Sequence, residues 1–253
     1  MAFSIPIYEA YTLTKSFIPA ISIFVMAILL LGYIFGIFFN LKTNQIILMS
    51  SGTAICGATA IAAIAPIIKA SPRTLLTSMS LVFLLNAIAL LIFPILGHYF
   101  GFSQEFFGSW VALAVHDTAS VLGTALAYGD ESVVPATTIK LARTLWLVPF
   151  MIMLSLFYNK KAYFKLPVFV LIFVVALFLN NYLSTNMEIL RFIALLQSIG
   201  FISNIFLYSG LFFIGTSIDK ESISLLDNHI IFHALSLWLI AIALSYILVS
   251  YLV

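Results

Sequence analysis

Eight stretches of this chain stay apolar long enough to cross a bilayer as helices: residues 16–39, 46–68, 75–99, 107–127, 133–157, 166–186, 191–216 and 230–253. A helical span needs about 20 mostly apolar residues. The runs are continuously apolar and do not alternate. That excludes a closed barrel, the other structure that satisfies its backbone groups in lipid. The pattern predicts an all-α polytopic membrane protein of about eight transmembrane helices.

Two windows differ from the rest. Residues 50–72, SSGTAICGATAIAAIAPIIKASP, and residues 108–132, GSWVALAVHDTASVLGTALAYGDES, are dense in Ala, Gly, Ser and Thr, whereas Leu, Phe and Ile dominate elsewhere. Small residues let helices pack closely. Glycine and proline also interrupt the backbone ladder, and freed amides and carbonyls then line a cavity. Gly57-Ala58-Thr59-Ala60 and His116-Asp117-Thr118-Ala119 both place Thr-Ala near the centre of such a window, a faint internal echo. The reading adopted is a pair of discontinuous helices.

Composition fixes the class. Of 253 residues, 63% are hydrophobic and 8% charged, against about 45–50% and about 25% in soluble domains. The chain is expected to be one integral membrane domain over 1–253: lead-in and first span at 1–45, a core with broken helices at 46–157, and C-terminal helices at 158–253. The net charge of +2 gives no case for nucleic acid. A single cysteine, Cys56, allows no internal disulfide. The N-terminus shows no cleavage site, so the first span is expected to stay as a signal anchor. If all eight windows cross, Lys42, Lys160, Lys161, Lys165 and Lys220 share one side and Lys15, Lys69, Arg73 and Arg191 the other. The cluster NKKAYFK at 159–165 favours the first side as cytoplasmic. A re-entrant window would overturn this count.

Four ionisable residues then stand out. A charge at the centre of a span costs roughly 2.5 to 3.5 kcal/mol on insertion scales, so such residues face a cavity or one another. His116 and Asp117 lie near the middle of the second small window. Asp117 is either a structural carboxylate or an ion or proton site. His116 suits proton coupling or hydrogen-bonded packing, and on a regular helix it points about 100° away from Asp117. Lys140 and Arg143 share one helical face, continued by Thr137 and Thr144. They can neutralise Asp117 or bind an anion, Arg143 with a planar fork. The scattered histidines and lone cysteine give no metal site. No P-loop and no catalytic triad is present.

Three segments carry a family resemblance. ICGATAIAAIAPIIKA at 55–70 is similar to ICGxSAIAAxAPVIxA; VHDTASVLGTALAYG at 115–129 is similar to IHDTAQVxxAGxxYG; ATTIKLARTLWLVP at 136–149 is similar to ATxVKLTRxLLLAP. Together they resemble the YeiH family, also called UPF0324, whose members are often labelled sulfate exporters. The more loosely matching IGFISNIFLYSGLFFIGTSIDKESI at 199–223 resembles the family's glycine-containing helix. The resemblance implies an inverted-repeat fold similar to sodium–proton antiporters and bile-acid symporters, with unwound elements at 50–68 and 108–127. It implies a secondary transporter for a small anion such as sulfate or a sulfonate. Thr53, Cys56, Gly57, Thr59, Thr118, Ser120, Lys140 and Arg143 would bind substrate, and His116 and Asp117 would couple a proton or sodium. The expected partners are that anion, the coupling ion and the lipid bilayer, with homo-oligomerisation left open. No cofactor, metal or enzymatic activity is expected. The chain departs from the family at Ser120, where Gln is usual, and at Ala142, where Thr is usual. The family also has further spans ahead of this region, so the alternative expectation is a truncated, non-transporting assembly partner.

Overall fold

The computed structural model describes residues 7–159 and 226–253, with isolated helical positions between 175 and 216. Every regular element among the described residues is a helix. In order they are α1 (Ile7–Phe38), α2 (Thr43–Ser51) running into a π-turn (Gly52–Cys56), α3 (Ala58–Ile64), α4 (Pro72–Phe100), α5 (Gln104–Ala114), α6 (Thr118–Tyr128), a 3₁₀ turn (Asp130–Ser132), α7 (Val133–Thr144), α8 (Leu147–Asn159) and α9 (Asn228–Ser250). Four described helical stretches are long and apolar enough to cross a membrane: Tyr11–Phe38, Pro72–Phe100, Asp130–Tyr158 and Asn228–Ser250.

Local chemistry sets the ends. Asn40, at φ 56°, closes α1, and Leu41 N–H returns to the Gly36 carbonyl at 2.9 Å, a left-handed helix stop. Ser71 caps α4 through Thr74 N–H at 3.2 Å, with Pro72 in the first turn where no N–H is required. Ser103 caps α5 through Phe106 N–H at 3.1 Å.

The two small-residue windows fold as hairpins that return to the face they entered from. In the first, α2 and the π-turn run inward and α3 runs back. Asn44 Nδ2, at its entry, donates to the Ile68 carbonyl at its exit, 3.4 Å away. In the second, α5 runs inward and α6 runs back. Tyr128 at the exit donates its hydroxyl to the Phe102 carbonyl beside the entry, stacks on Phe107 at 3.8 Å, and is followed by Glu131, whose N–H donates to Gln104 Oε1 at 2.9 Å. The hairpins enter from opposite ends of α4: the first beside Ser71, the second beside Gly101.

This corrects the expectation that 46–68 and 107–127 cross as helices. The reason is length. α5 and α6 have 11 residues each, about 16 Å per arm, roughly half the hydrocarbon core. The breaks turn each window back at mid-depth. The loop charges move with it. Lys42, Lys69 and Arg73, divided between two sides when every window crosses, now share one face, and α8 delivers the chain to that face at Asn159. Glu105, Asp130 and Glu131 lie at the other. Apart from isolated helical positions, the windows 166–186 and 191–216 and the segment 199–223 lie outside the described residues, as do Lys160, Lys161, Lys165, Arg191 and Lys220.

The core is packed between α1, α4, α7 and the two hairpins. Phe24, Ile28, Leu48, Ile55, Val82, Leu113 and Ile139 are fully buried in it. Phe93 stacks on Trp110 at 4.8 Å and on Trp238 at 6.0 Å, seating α9 against α4 and α5.

Candidate functional site

The hairpin tips meet. Gly57 ends the π-turn at φ 63°, ψ −131°, a conformation that side chains disfavour. A Cβ there would lie 3.2 Å from Asp117 N and from the His116 carbonyl carbon, and 3.3 Å from His116 Cβ. Glycine therefore meets two demands at once: a positive φ and close approach of the facing backbone. In the other tip the helix opens over Val115–Asp117, with Val115 (φ −92°, ψ 141°) and Asp117 (φ −93°, ψ 148°) extended.

Two helix breaks at depth leave carbonyls without their usual partners, and no lipid can supply donors. α7 supplies them. Arg143 Nε donates to the Ala54 carbonyl at 2.7 Å and Nη2 to the Thr53 carbonyl. Its Nη1 donates to Leu113 at 2.7 Å and Ala112 at 3.2 Å. Lys140 Nζ donates to Val115 at 2.7 Å. The Arg143 guanidinium also lies 4.8 Å over the Phe24 ring, a cation–π contact. Both cations are 0% exposed. Every hydrogen bond they make ends on the carbonyl end of an inward arm, where the helix dipole is negative. The polar stripe seen in the sequence is thus a clasp on backbone, and a guanidinium suits it because its planar fork carries five donors.

The opposite dipole ends belong to α3 and α6. Asp117 caps α6, accepting Ala119 N–H at 2.9 Å. A carboxylate is favoured at that positive end. Asp117 and Thr118 are half-buried, as is Thr59 on α3. The extended break sends the neighbouring His116 the other way. It is 1% exposed, and neither ring nitrogen has a hydrogen-bond partner. The fold thus separates His116 from Asp117. Thr53, Cys56 and Ser120 are buried; Thr53 Oγ1 has no partner, and the Ser120 carbonyl accepts Thr124 Oγ1 at 2.7 Å.

One contributor escaped the sequence reading. Asn86 of α4 accepts the His116 N–H through Oδ1 at 3.1 Å, replacing a helical partner lost at the break. Its Nδ2 has none. The available signal was a lone amide within the apolar run SLVFLLNAIALLIF.

Comparison with known proteins agrees with these motifs. The family model described as "Conserved hypothetical protein 698" matches residues 1–234. A UPF0324 membrane protein of Porphyromonas gingivalis is 43% identical over 85% of this chain and 65% of its own. One from Vibrio vulnificus is 34% identical over 99% of this chain and 81% of its own. One from Bacteroides thetaiotaomicron is 37% identical over 85% of this chain and 64% of its own. The chain thus matches about two thirds of the length of the first and third. No solved structure matches it at a significant level. The three motifs lie on the two tips and the clasping helix, and with these matches they show that the chain belongs to the UPF0324 family of membrane proteins.

Proposed function

We propose that this chain forms the substrate-handling core of a secondary transporter for a small anion, sulfate or a sulfonate, coupled to a proton or sodium. It is read as a transporter and not an enzyme, resident in the cell membrane. The observation that carries this reading is the meeting of Gly57 with His116–Asp117 at mid-depth. Helices interrupted near the midplane are where secondary transporters hold substrate and coupling ion. The helix-plus-hairpin pair α1 with α2–α3 runs opposite to α4 with α5–α6. That supports an inverted-repeat arrangement.

Charge at the tips sets the sign of coupling. Lys140 and Arg143 contribute two positive charges, and the two arm ends they hold offset roughly half a charge each. The positive ends of α3 and α6 add to what remains, so an ionised Asp117 would offset this positive charge only in part. Neutralising Asp117 with a proton or sodium leaves the tips net positive, which favours an anion. Substrate and coupling ion then move together. Asp117, Thr118 and Thr59 form the half-exposed contact surface; Lys140 and Arg143 act through their field, and Thr53, Cys56, Gly57, Ser120 and His116 shape the tips behind it.

The positively charged Lys42 face is read as cytoplasmic. The test is flux of labelled sulfate into proteoliposomes under an imposed pH or sodium gradient. Gradient-dependent uptake that Asp117→Asn uncouples supports the proposal. Absence of gradient-dependent uptake of sulfate or sulfonates by a folded sample rejects it.

A further inference from the structure

A second polar cavity lies away from the tips, at the mouth of the first hairpin. It encloses about 360 Å³ between the end of α1 and the starts of α2, α4 and α9. Lys42, Arg73 and His229 line it, with Asp227 as the one acid among the described lining residues. Gln45 and Thr74 add amide and hydroxyl groups. Lys42, Arg73 and His229 are exposed, and no side-chain hydrogen bond or ion pair engages either cation among the described residues. The basic side chains therefore converge on a concavity without being consumed by internal pairing, unlike Lys140 and Arg143. Three helix starts also turn their positive ends toward it. The cavity sits at the ends of three of the long apolar helices, α1, α4 and α9.

We infer that this crevice binds a tetrahedral oxyanion of the phosphate class, held between Lys42 and Arg73. A guanidinium fork beside an ammonium matches that chemistry. Basic pockets between helices on the cytoplasmic side bind anionic headgroups. A phospholipid phosphate and free inorganic phosphate share the required chemistry. The site does not depend on the transport reading, because none of its residues belongs to the tips.

The experiment is native mass spectrometry of the purified full chain in detergent, titrated with phosphatidylglycerol or phosphatidylcholine. Phosphatidylglycerol is expected to bind at least tenfold more tightly, and the combined K42Q and R73Q variant to lose that preference. Lys15→Gln at the opposite face should keep it. Competition by millimolar inorganic phosphate identifies the free anion as the source, and its failure to compete identifies the lipid. A salt titration of the unmodified protein keeps the test independent of folding: the preference should fall as salt rises. Equal affinity for the two lipids, a salt-insensitive preference, or full retention by the folded double variant overturns the proposal.

Discussion

Arg143 on α7 holds the Ala54 carbonyl at 2.7 Å, and with the same guanidinium the Leu113 carbonyl at 2.7 Å. One side chain thus closes the ends of both inward arms. Replacing it with lysine keeps the charge and loses the fork. At least one tip is left with an unpaired carbonyl, each costing about 1 to 3 kcal/mol. Arg143→Lys should lower the unfolding temperature in detergent by several degrees, and Arg143→Met should lower it further. An unchanged melting curve for Arg143→Lys would show that the fork is dispensable.

Gly57 and Gly101 offer a matched comparison. Both have positive φ, 63° and 65°, but a Cβ on Gly57 meets the His116–Asp117 backbone while one on Gly101 meets nothing within 4 Å. Gly101→Ala should cost about 1 to 2 kcal/mol for its conformation alone. Gly57→Ala should cost more and separate the tips, seen as loss of the monodisperse peak on size exclusion. Equal losses would show that the close approach carries no energy.

The re-entrant hairpins make a direct topological prediction. In a Cys56→Ala background, Lys42→Cys and Lys69→Cys should react with an impermeant maleimide from the same side of the membrane. Asp130→Cys should react from the other side. Labelling of Lys42→Cys and Lys69→Cys from opposite sides would show that 46–68 crosses after all.

Asp117 has two separable duties. Asn caps a helix about as well as Asp, while Ala costs about 1 kcal/mol. Asp117→Asn should therefore keep the cap, lose only the charge's contribution of about 0.3 to 1 kcal/mol to stability, and lose gradient-coupled flux. Asp117→Ala should lose cap and flux alike. Coupled flux that survives in Asp117→Asn would remove Asp117 from the coupling role.

Asn86 should act through the second break. Asn86→Leu leaves the His116 N–H unpaired at depth and should destabilise by about 1 to 3 kcal/mol. Asn86→Asp retains an acceptor and should recover most of that loss in thermal unfolding at low pH, where the carboxyl is neutral.

The membrane class, the helical content and both breaks were legible because apolar run length and small-residue density are local signals. Gly57 and the His116–Asp117 pair were correctly singled out as sites of interruption. The return of each hairpin was not legible, since a window of some 20 apolar residues satisfies a span by length alone. The partners of Lys140 and Arg143 were hidden for a different reason. They are backbone carbonyls 25 to 90 residues away, and no side-chain pattern marks a carbonyl. Sequence offered Asp117 or an anion as the obvious counter-charge; the fold chose the arm ends.

That choice constrains motion. A guanidinium bonded to both tips rivets them into one mechanical piece with α7 as its strut. Neither hairpin can withdraw alone without leaving its own buried carbonyls stripped of the donors on Arg143. Under the transport reading, alternating access would come from rigid displacement of the riveted body against the surrounding helices, with the tips carried along intact.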